Sequence, residues 1–407
     1  MRIVLLSTST TLHQPGGTEV HAETLARLAA ARGHEVFLLT SAHPAGLAGE
    51  HKDGYTVIYL AGTSYHMSRK DSRAWWTASA ARTAELCETK QIDVVWAENF
   101  SGLSYAALPR TARKPVISIV NGLAVRGEIA SNFGRVESAG ELLYFLTRYA
   151  AQTVFYYIPR FRAMVRDSDL LVGISRETAE ALEREFPGSS AKTAVIFNPV
   201  DTCLFRPDPE LRKQARARLG IKDGEQALLM TGVIHKQKGV HIGLEAFRSL
   251  SRDFPQARLL IVGAGPELPA LKAAAGSAGL ESRTLFHGTC PNSEMPFYYN
   301  ASDIFLNPTL RQEGLGIVTV EAMACGLPVV VSRIGGTAST IDDGHSGFFV
   351  NPGDAASLAE KAGALLKAPA LAAAMGAAGR EKAVRDFSEN NIGDYIRVSR
   401  ELIGSKK

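Results

Sequence analysis

Long apolar runs and a strong excess of charge are both missing from this 407-residue chain. No stretch approaches the roughly 18 consecutive apolar residues that a membrane-spanning helix requires. The 45 lysines and arginines nearly balance the 41 aspartates and glutamates, and the net charge of +4 is too small to indicate a nucleic-acid partner. The first ten residues predict a strand rather than a secretory signal. We therefore expect a cytoplasmic protein without a membrane span.

Cysteine is also scarce, and its four residues are scattered without C-x-x-C spacing: Cys87, Cys203, Cys290 and Cys325. This pattern excludes a simple zinc motif and is typical of a reducing compartment. Hydrophobic residues make up 45% of the chain and charged residues 21%, which indicates folded domains rather than disorder. The length suits two domains, each large enough to bury its own core.

The first half of the chain alternates between strand and helix patterns. The continuous apolar run RIVLLS at positions 2–7 predicts a buried parallel strand. A helix from about 20 to 32 and a strand over 35–39 complete a βαβ unit. Further strands are predicted near 57–59, 94–96, 116–120, 170–173 and 194–197. This alternation predicts a doubly wound α/β domain.

The sequence NPVD at positions 198–201 marks the end of this first domain, which we place at 1–201. The second domain, 202–387, begins with a helix over about 209–219 and a strand over 227–231. The last segment, 388–407, has a helical pattern. By analogy with folds of this kind, it is expected to pack back on the first domain.

One stretch of the second domain carries the strongest indication of function: EGLGIVTVEAMACGLPVVV, from Glu313 to Val331. It turns on two glycines, continues as a predicted helix to Cys325, stops at Gly326 and ends in a buried strand. A glycine turn at the start of a helix presents backbone N–H groups at the positive end of the helix dipole. The stretch therefore predicts a site for an anion or for sugar oxygens.

Two carboxylates, Glu313 and Glu321, lie eight residues apart in this stretch, or about 12 Å if it is helical. That separation suits two distant parts of one elongated polar ligand. It is too long for a paired acid and base on one bond, which needs about 5 to 9.5 Å. The alternative is a loop glutamate and a solvated helix glutamate. The apolar neighbours of Glu321, Val320 and Ala322, argue against it.

With its E-x7-E motif, this stretch resembles the retaining glycosyltransferases of family four, and the resemblance extends over nearly the whole chain. It implies the GT-B architecture: two facing Rossmann-like, doubly wound domains with an interdomain cleft. The first domain would bind the acceptor, and the second would bind the donor nucleotide-sugar. Glu313 would contact the donor sugar and Glu321 the ribose. Backbone amides would meet the sugar or the distal phosphate, at Gly314, Leu315, Gly316 and Ile317.

The resemblance implies further donor contacts elsewhere in the chain. Lys238, in the loop GVIHKQKG, would bind the diphosphate, and Cys290, in FHGTC, would lie beside the nucleotide base. Gly16 and Gly17 would approach the donor phosphates. Each loop has a simpler alternative, an ordinary basic loop at 232–239 and an ordinary turn at 16–17.

The chain departs from the family at two positions. Relatives usually have arginine where this chain has Val233, so one phosphate cation is missing unless His235 or Lys236 replaces it. Relatives often have histidine where this chain has Asn121. Asparagine can donate a hydrogen bond to a sugar hydroxyl but cannot relay a proton near neutral pH. We therefore expect Asn121 to contact substrate without acting as a base.

Segment 141–166 is the most unusual part of the first domain, because aromatic residues alternate there with arginines. A basic aromatic helix can lie on an anionic membrane or receive a lipid-linked acceptor. The alternative is a long helix packed on its own domain, with arginine stems covering apolar surface. Both interpretations are open from the sequence.

The first hypothesis for function is a metal-independent, retaining hexosyltransferase that needs no cofactor and uses a nucleoside diphosphate sugar, with a uridine diphosphate sugar expected. Glu313 and Lys238 are the expected catalytic residues. The acceptor would be a sugar, a lipid-linked molecule or a small molecule in polysaccharide, glycolipid or glycoside synthesis. One alternative is a sugar-nucleotide 2-epimerase of the same architecture. Another is a non-catalytic binding protein, which Val233 and Asn121 suggest and the intact glutamate pair argues against.

Overall fold

The computed structural model describes residues 1–14, 16–66, 69–133 and 138–405. It divides into two compact units. Unit 1 comprises Met1–Ile129, Leu142–Pro199 and Glu389–Lys407, and unit 2 comprises Ala130–Glu141 and Val200–Ser388. The boundaries between the main parts of the two units lie at 199/200 and 388/389. The boundaries predicted from the sequence are 201/202 and 387/388. The last two residues of the predicted segment 388–407 lie outside the described part.

Unit 1 contains an eight-stranded sheet in the order β3-β4-β2-β1-β5-β6-β7-β8. Its strands are β1 (Arg2–Leu6), β2 (Glu35–Ser41), β3 (Gly49–Lys52), β4 (Tyr55–Leu60), β5 (Val94–Glu98), β6 (Val116–Val120), β7 (Leu170–Gly173) and β8 (Thr193–Val195). All neighbours pair in parallel except β3, which pairs antiparallel with β4. The inner strands are apolar on both faces because helices cover both.

The helices of unit 1 are α1 (Gly17–Ala31), α2 (Arg69–Lys90), α3 (Leu103–Ala106), α4 (Ala124–Phe133), α5 (Ala139–Tyr144), α6 (Ala150–Gln152), α7 (Ile158–Asp167) and α8 (Arg176–Glu185). The end of α4 and the first half of α5 lie within Ala130–Glu141, which is counted with unit 2. Two π-helical turns, Phe145–Tyr149 and Thr153–Tyr157, join α5 to α6 and α6 to α7. Helix α1 begins three residues earlier than predicted, so Gly17 is its first residue and Gly16 its cap.

Unit 2 contains a six-stranded, fully parallel sheet in the order β11-β10-β9-β12-β13-β14. Its strands are β9 (Gln226–Thr231), β10 (Ala257–Val262), β11 (Thr284–His287), β12 (Ile304–Asn307), β13 (Val329–Ser332) and β14 (Phe348–Val350). Its helices are α9 (Pro209–Arg218), α10 (Val240–Asp253), α11 (Leu268–Ser277), α12 (Met295–Ala301), α13 (Ile317–Ala324), α14 (Ala355–Lys367) and α15 (Pro369–Phe387). The strand order reverses direction between β9 and β12, and ligands of such sheets bind at the carboxyl ends of the strands on either side of this point.

The last helix, α16 (Ile392–Gly404), belongs to unit 1. Its Tyr395 ring packs against Trp96 of β5, with ring centroids 5.5 Å apart. Trp96 Nε1 donates to Ser399 Oγ at 3.0 Å. This fully buried contact fixes the carboxyl-terminal helix to the first sheet.

No single helix in the described residues is long and apolar enough to cross a membrane. The pair α14 and α15 together has sufficient length and apolar composition, but the two helices meet at a bend of 106°.

Candidate active site

Lys238 and Glu313 come from the two loops that flank the reversal point of the unit 2 sheet. The loop after β9 carries Lys238, and the loop after β12 carries Glu313. The loops pack backbone to backbone: Leu310 N donates to Gln237 O at 2.8 Å. Gly239, with φ of 67°, lies so close to the Pro308 carbonyl that any side chain there would collide with it. This close packing holds the two charged side chains together.

Lys238 Nζ forms an ion pair with Glu313 Oε1. The same carboxylate oxygen accepts a hydrogen bond from Thr309 Oγ1 at 3.4 Å. Burial alone would raise the pKa of Glu313, but the Lys238 ammonium, with a contribution from Arg311, lowers it below its usual value. Glu313 is therefore ionised at neutral pH.

The turn Gly314–Gly316 leads directly from Glu313 into α13, as the sequence predicted. Gly316 has φ of 85°, a left-handed conformation that favours glycine. Gly336, in the loop after β13, lies against the Gly314 carbonyl, and its N–H donates to Glu313 O at 2.8 Å. The first N–H groups of a helix have no partner within that helix. The amino end of α13, from Ile317, thus offers polar hydrogens beside the Glu313 carboxylate.

Glu321 lies on α13 and is buried. Its Oε1 accepts from Asn292 Nδ2 at 3.0 Å, and its Oε2 accepts from Tyr299 Oη at 2.8 Å. Burial raises the pKa of Glu321 to about 7, although the Tyr299 hydrogen bond acts in the opposite direction. Burial also raises the pKa of Tyr299 well above its usual range, so its hydroxyl remains a donor.

Three residues of this site, Asn292, Tyr299 and Arg311, were not predicted from the sequence. Asn292 and Tyr299 contact Glu321 from a loop and a helix that lie more than 20 residues away in the chain, and no motif in the sequence links them to it. Arg311 could have been found, because a cation two residues before a site glutamate is a direct candidate for binding phosphate. Arg311 is half-buried.

Cys290 lies on the loop after β11, two residues before Asn292. It is half-buried, its Sγ is 3.2 Å from Met295 Sδ, and burial raises the pKa of its thiol. The loop therefore reaches Glu321 through Asn292. A contact of Cys290 with a nucleotide base stays a prediction.

Gly16 caps α1 in an extended conformation in unit 1, and Gly17 follows as the first helical residue. The buried Glu19 carboxylate lies directly beside Gly16, where it accepts from Ser9 Oγ and from Gln14 Nε2 at 2.8 Å. A carboxylate at this point opposes the approach of a phosphate. A role for Gly16 and Gly17 in binding donor phosphates therefore stays a prediction.

Asn121 follows β6, and its side-chain nitrogen donates to Glu98 Oε2 at the end of β5. Glu98 Oε1 lies 2.9 Å from Nδ1 of the fully buried His21 on α1. The Asn121 backbone N–H donates to Asn99 Oδ1 at 3.0 Å. Within the described residues, Asn121 Oδ1 is buried and accepts no hydrogen bond. Asn121 therefore has a defined orientation, and its substrate contact stays a prediction.

Within the described residues, no group of three or more histidine, cysteine, aspartate and glutamate side chains is arranged to hold a metal ion.

Two family models together cover most of the chain. "Glycosyltransferase Family 4" matches residues 15–203, and "Glycosyl transferases group 1" matches residues 212–382. D-inositol 3-phosphate glycosyltransferase of Frankia alni is 30% identical over 372 residues, which are 87% of this chain and 86% of that protein. The chain belongs to glycosyltransferase family 4. The resemblance carried by the E-x7-E motif is thereby confirmed.

A second relative of this family 4 chain is the GDP-mannose-dependent alpha-(1-6)-phosphatidylinositol monomannoside mannosyltransferase of Mycolicibacterium smegmatis. It is 36% identical over 232 residues, which are 56% of this chain and 60% of that protein. The chain thus matches less than two thirds of this relative's length. Neither relative's name supports the 2-epimerase or a non-catalytic protein.

The fold of the family 4 chain is that of the GT-B glycosyltransferases. Sucrose-phosphate synthase from Thermosynechococcus elongatus superimposes with a TM-score of 0.79 over 99% of both chains, at 22% identity. WaaG, a glycosyltransferase involved in lipopolysaccharide biosynthesis, superimposes with a TM-score of 0.74 over 98% of this chain. At such identities the likeness shows the fold alone.

Proposed function

We propose that this protein transfers a hexosyl unit, with retention of configuration, from a nucleoside diphosphate sugar to a hydroxyl group of an acceptor. The observation that carries the proposal is the Lys238–Glu313 ion pair at the amino end of α13, with Glu321 buried further along the same helix. Unit 2 thus carries a cation, backbone N–H groups and one carboxylate at the amino end of α13, and a second carboxylate on the same helix. These are the groups that a diphosphate, a sugar and a ribose require.

Lys238 and Arg311 would bind the diphosphate as it departs. When the bond between the anomeric carbon and the phosphate oxygen breaks, negative charge grows on that oxygen, and nearby cations stabilise it. The acceptor oxygen bonds to the same face of the anomeric carbon, and its proton goes to the departing phosphate oxygen. This chemistry needs neither a second protein carboxylate as nucleophile nor a metal ion. Glu313 would accept hydrogen bonds from the sugar hydroxyls and orient the anomeric carbon.

Glu321 would accept hydrogen bonds from the ribose hydroxyls. Each of its oxygens already has one protein donor, and a carboxylate oxygen has a further lone pair for a ligand. Because Asn292 and Tyr299 fix the carboxylate in place, it needs little reorganisation when the nucleotide binds.

The base of the donor nucleotide has two candidates. The sequence predicts a uridine diphosphate sugar. The Mycolicibacterium smegmatis relative is named as GDP-mannose-dependent, which favours GDP-mannose. We therefore propose GDP-mannose as the first donor to test, with uridine diphosphate sugars as the second.

The acceptor class follows from the names of the same relatives. Both names contain an inositol phosphate, free in one protein and part of a phospholipid in the other. We propose an acceptor of this kind, with several hydroxyl groups and a phosphate, ahead of an unphosphorylated sugar.

Calorimetry with GDP, UDP, ADP and their common sugars tests the donor site directly. We expect one nucleotide to bind to wild type, Glu321→Ala to lose at least tenfold in affinity, and Lys238→Met to weaken the diphosphate while sparing the nucleoside. Glu281→Gln, an exposed carboxylate of unit 2, is the matched control and should bind normally. If none of the nucleotides binds to wild type, the proposal fails.

Transfer itself is then measured with the nucleotide sugar that binds. Nuclear magnetic resonance of the product should show the same anomeric configuration as the donor. An inverted product, or conversion of the donor sugar to its 2-epimer without an acceptor, would replace the proposal with another reaction.

A further inference from the structure

One unbroken helix runs from Ala139 to Asp167, through α5, α6, α7 and the two π turns that join them. The backbone is helical at every junction, for example at Tyr144 (φ −58°, ψ −45°) and Ile158 (φ −57°, ψ −48°). The predicted segment 141–166 therefore lies within a single continuous helix, and the faces of that helix can be followed along its whole length.

The π turns change which residues share a face of this helix. In an α-helix, residues i and i+4 are separated by about 40° more than one full turn, so residues spaced four apart gradually move around the helix axis. A π turn contains more residues per turn, which reduces this offset and keeps such residues on one face. Accordingly, every fourth residue from Phe145 faces the domain and is buried or half-buried: Phe145, Tyr149, Thr153 and Tyr157. The inner face of the helix is thus mainly aromatic and is covered by its own domain.

The outer face of the helix is apolar as well. It consists of two adjacent four-residue stripes, all exposed: Leu142, Leu146, Ala150 and Val154 in one, and Leu143, Thr147, Ala151 and Phe155 in the other. We call these eight residues the outer stripes. They include no charged residue, and their one hydroxyl, on Thr147, donates to Leu143 O within the helix at 2.6 Å. Usually the outward face of such a helix is polar.

The exposure of the outer stripes is large. Phe155 is 81% exposed, Leu143 64%, Leu146 60% and Val154 53%. Including Tyr144, six of the fourteen exposed large apolar side chains among the described residues lie within 142–155, and the other eight are scattered over both units. A contiguous exposed apolar patch of this kind marks a surface that binds a protein or a membrane.

Positive charge borders the patch. Arg148 and Arg162 are exposed, whereas Arg160 stacks over Tyr156 and Trp76, with its guanidinium carbon 4.7 Å from the Trp76 ring centroid. Arg166 is paired with Asp167 at 2.7 Å. The helix has four arginines against Glu141 and Asp167, a net charge of +2. A second copy of this face would be repelled by this charge, whereas a surface of phosphate groups would be attracted.

We propose that the outer stripes lie in the interfacial layer of an anionic lipid bilayer, with Leu143, Leu146 and Phe155 reaching the acyl chains and Arg148 and Arg162 meeting the lipid phosphates. The helix lies parallel to the membrane plane and does not cross it. Tyrosines at its margins, such as Tyr144, occupy the headgroup level that aromatic rings prefer. The bilayer is thus the occupant that matches both the apolar stripes and the basic margin. This proposal goes beyond the proposed function and needs no donor or acceptor.

Vesicle sedimentation tests the proposal with the full-length protein. Wild type should bind to phosphatidylcholine vesicles that contain phosphatidylglycerol, and more weakly to phosphatidylcholine alone. The triple variant Leu143→Ser/Leu146→Ser/Phe155→Ser should bind about tenfold less or weaker, because the three largest insertions are lost. The matched control Leu47→Ser/Leu108→Ser/Leu371→Ser replaces exposed leucines elsewhere and should bind as wild type does.

A second variant tests the charge separately. Arg148→Gln/Arg162→Gln should lose the preference for phosphatidylglycerol while keeping weak binding to neutral vesicles. The proposal is overturned if wild type binds neither kind of vesicle, or if the triple variant binds as well as wild type. The proposal is also overturned if the outer stripes pair two copies of the chain. In that case sedimentation velocity would show a wild-type dimer that persists when vesicles are added, and the triple variant would be a monomer.

Discussion

Asn121 Nδ2 donates a hydrogen bond to Glu98 Oε2, so the orientation of the Asn121 amide is set by the carboxylate behind it. A carboxylate can only accept, which means that the amide nitrogen must face Glu98 and Oδ1 must face away. The His21 ring, 2.9 Å from the other Glu98 oxygen, holds that carboxylate in place. Glu98 is therefore the positioning residue of Asn121.

Glu98→Gln is expected to release this orientation. A glutamine can donate or accept, so the Asn121 amide can turn either way and its hydrogen-bonding pattern is lost. If Asn121 contacts an acceptor hydroxyl, the KM for the acceptor should rise by up to about tenfold, since a hydrogen bond between uncharged groups contributes about 0.5–1.5 kcal/mol. The Kd of the nucleotide should not change. Steady-state kinetics and calorimetry measure the two quantities.

Glu35→Gln, at an exposed site of the same unit, is the control for Glu98→Gln. If nucleotide binding and acceptor KM weaken equally in Glu98→Gln, the effect is a general loss of structure and the positioning role is wrong.

Glu321→Gln should alter the pH dependence of stability. The pKa of Glu321 is raised from 4.5 to about 7 in the folded protein, so the folded state binds more protons than the unfolded state between these values, and wild-type stability falls as pH rises through them. From pH 5 to pH 8 the variant should gain about 2–3 kcal/mol in free energy of unfolding relative to wild type. Urea unfolding at both pH values measures this, with Glu281→Gln as the control. Equal pH profiles for variant and wild type would contradict the raised pKa.

Arg311 should supply the phosphate cation that Val233 lacks. Arg311→Gln is expected to reduce turnover by about 100-fold, because one charge that stabilises the leaving diphosphate is removed. Val233 is 44% exposed, so arginine can be accommodated there. In the Arg311→Gln background, Val233→Arg should therefore restore part of the turnover, and on its own it should have a smaller effect. Kinetics of the four proteins form a double-mutant cycle, and normal turnover in Arg311→Gln would rule out the role.

Gly336→Ala should damage the proposed donor site through the backbone. A methyl group at Gly336 would collide with the Gly314 carbonyl oxygen, which belongs to the turn beside Glu313. We expect a loss of about 1–3 kcal/mol in stability and weaker nucleotide binding. Gly276→Ala is the matched control: it adds the same methyl group in α11, where nothing lies within 4 Å, and should stabilise the protein by about 0.5–1 kcal/mol. Thermal unfolding measures the stability of both variants. Unchanged nucleotide binding in Gly336→Ala would show that the Gly314–Gly316 turn is not part of the donor site.

Most elements could be predicted from the sequence because buried parallel strands and helix ends have local patterns. Strands β6 and β7 were predicted with their observed bounds, Val116–Val120 and Leu170–Gly173. Strand β3 was missed because its sequence, GEHK, is polar and fully exposed. The adjacent Asp53-Gly54 turn, with φ of 48° and 83°, was the available indication of a hairpin.

The sequence by itself determined the family, the two α/β units and the pair Glu313 and Glu321, because a glycine turn, a helix and a strand in immediate succession form a local motif. Only the tertiary structure decided which distant groups meet these carboxylates. Lys238 reaches Glu313 because the strand order places β9 next to β12, and Asn292 and Tyr299 enclose Glu321 because the loop after β11 and helix α12 pack against α13. The raised pKa of Glu321 follows from that enclosure, since burial is a property of the folded chain and not of any short segment.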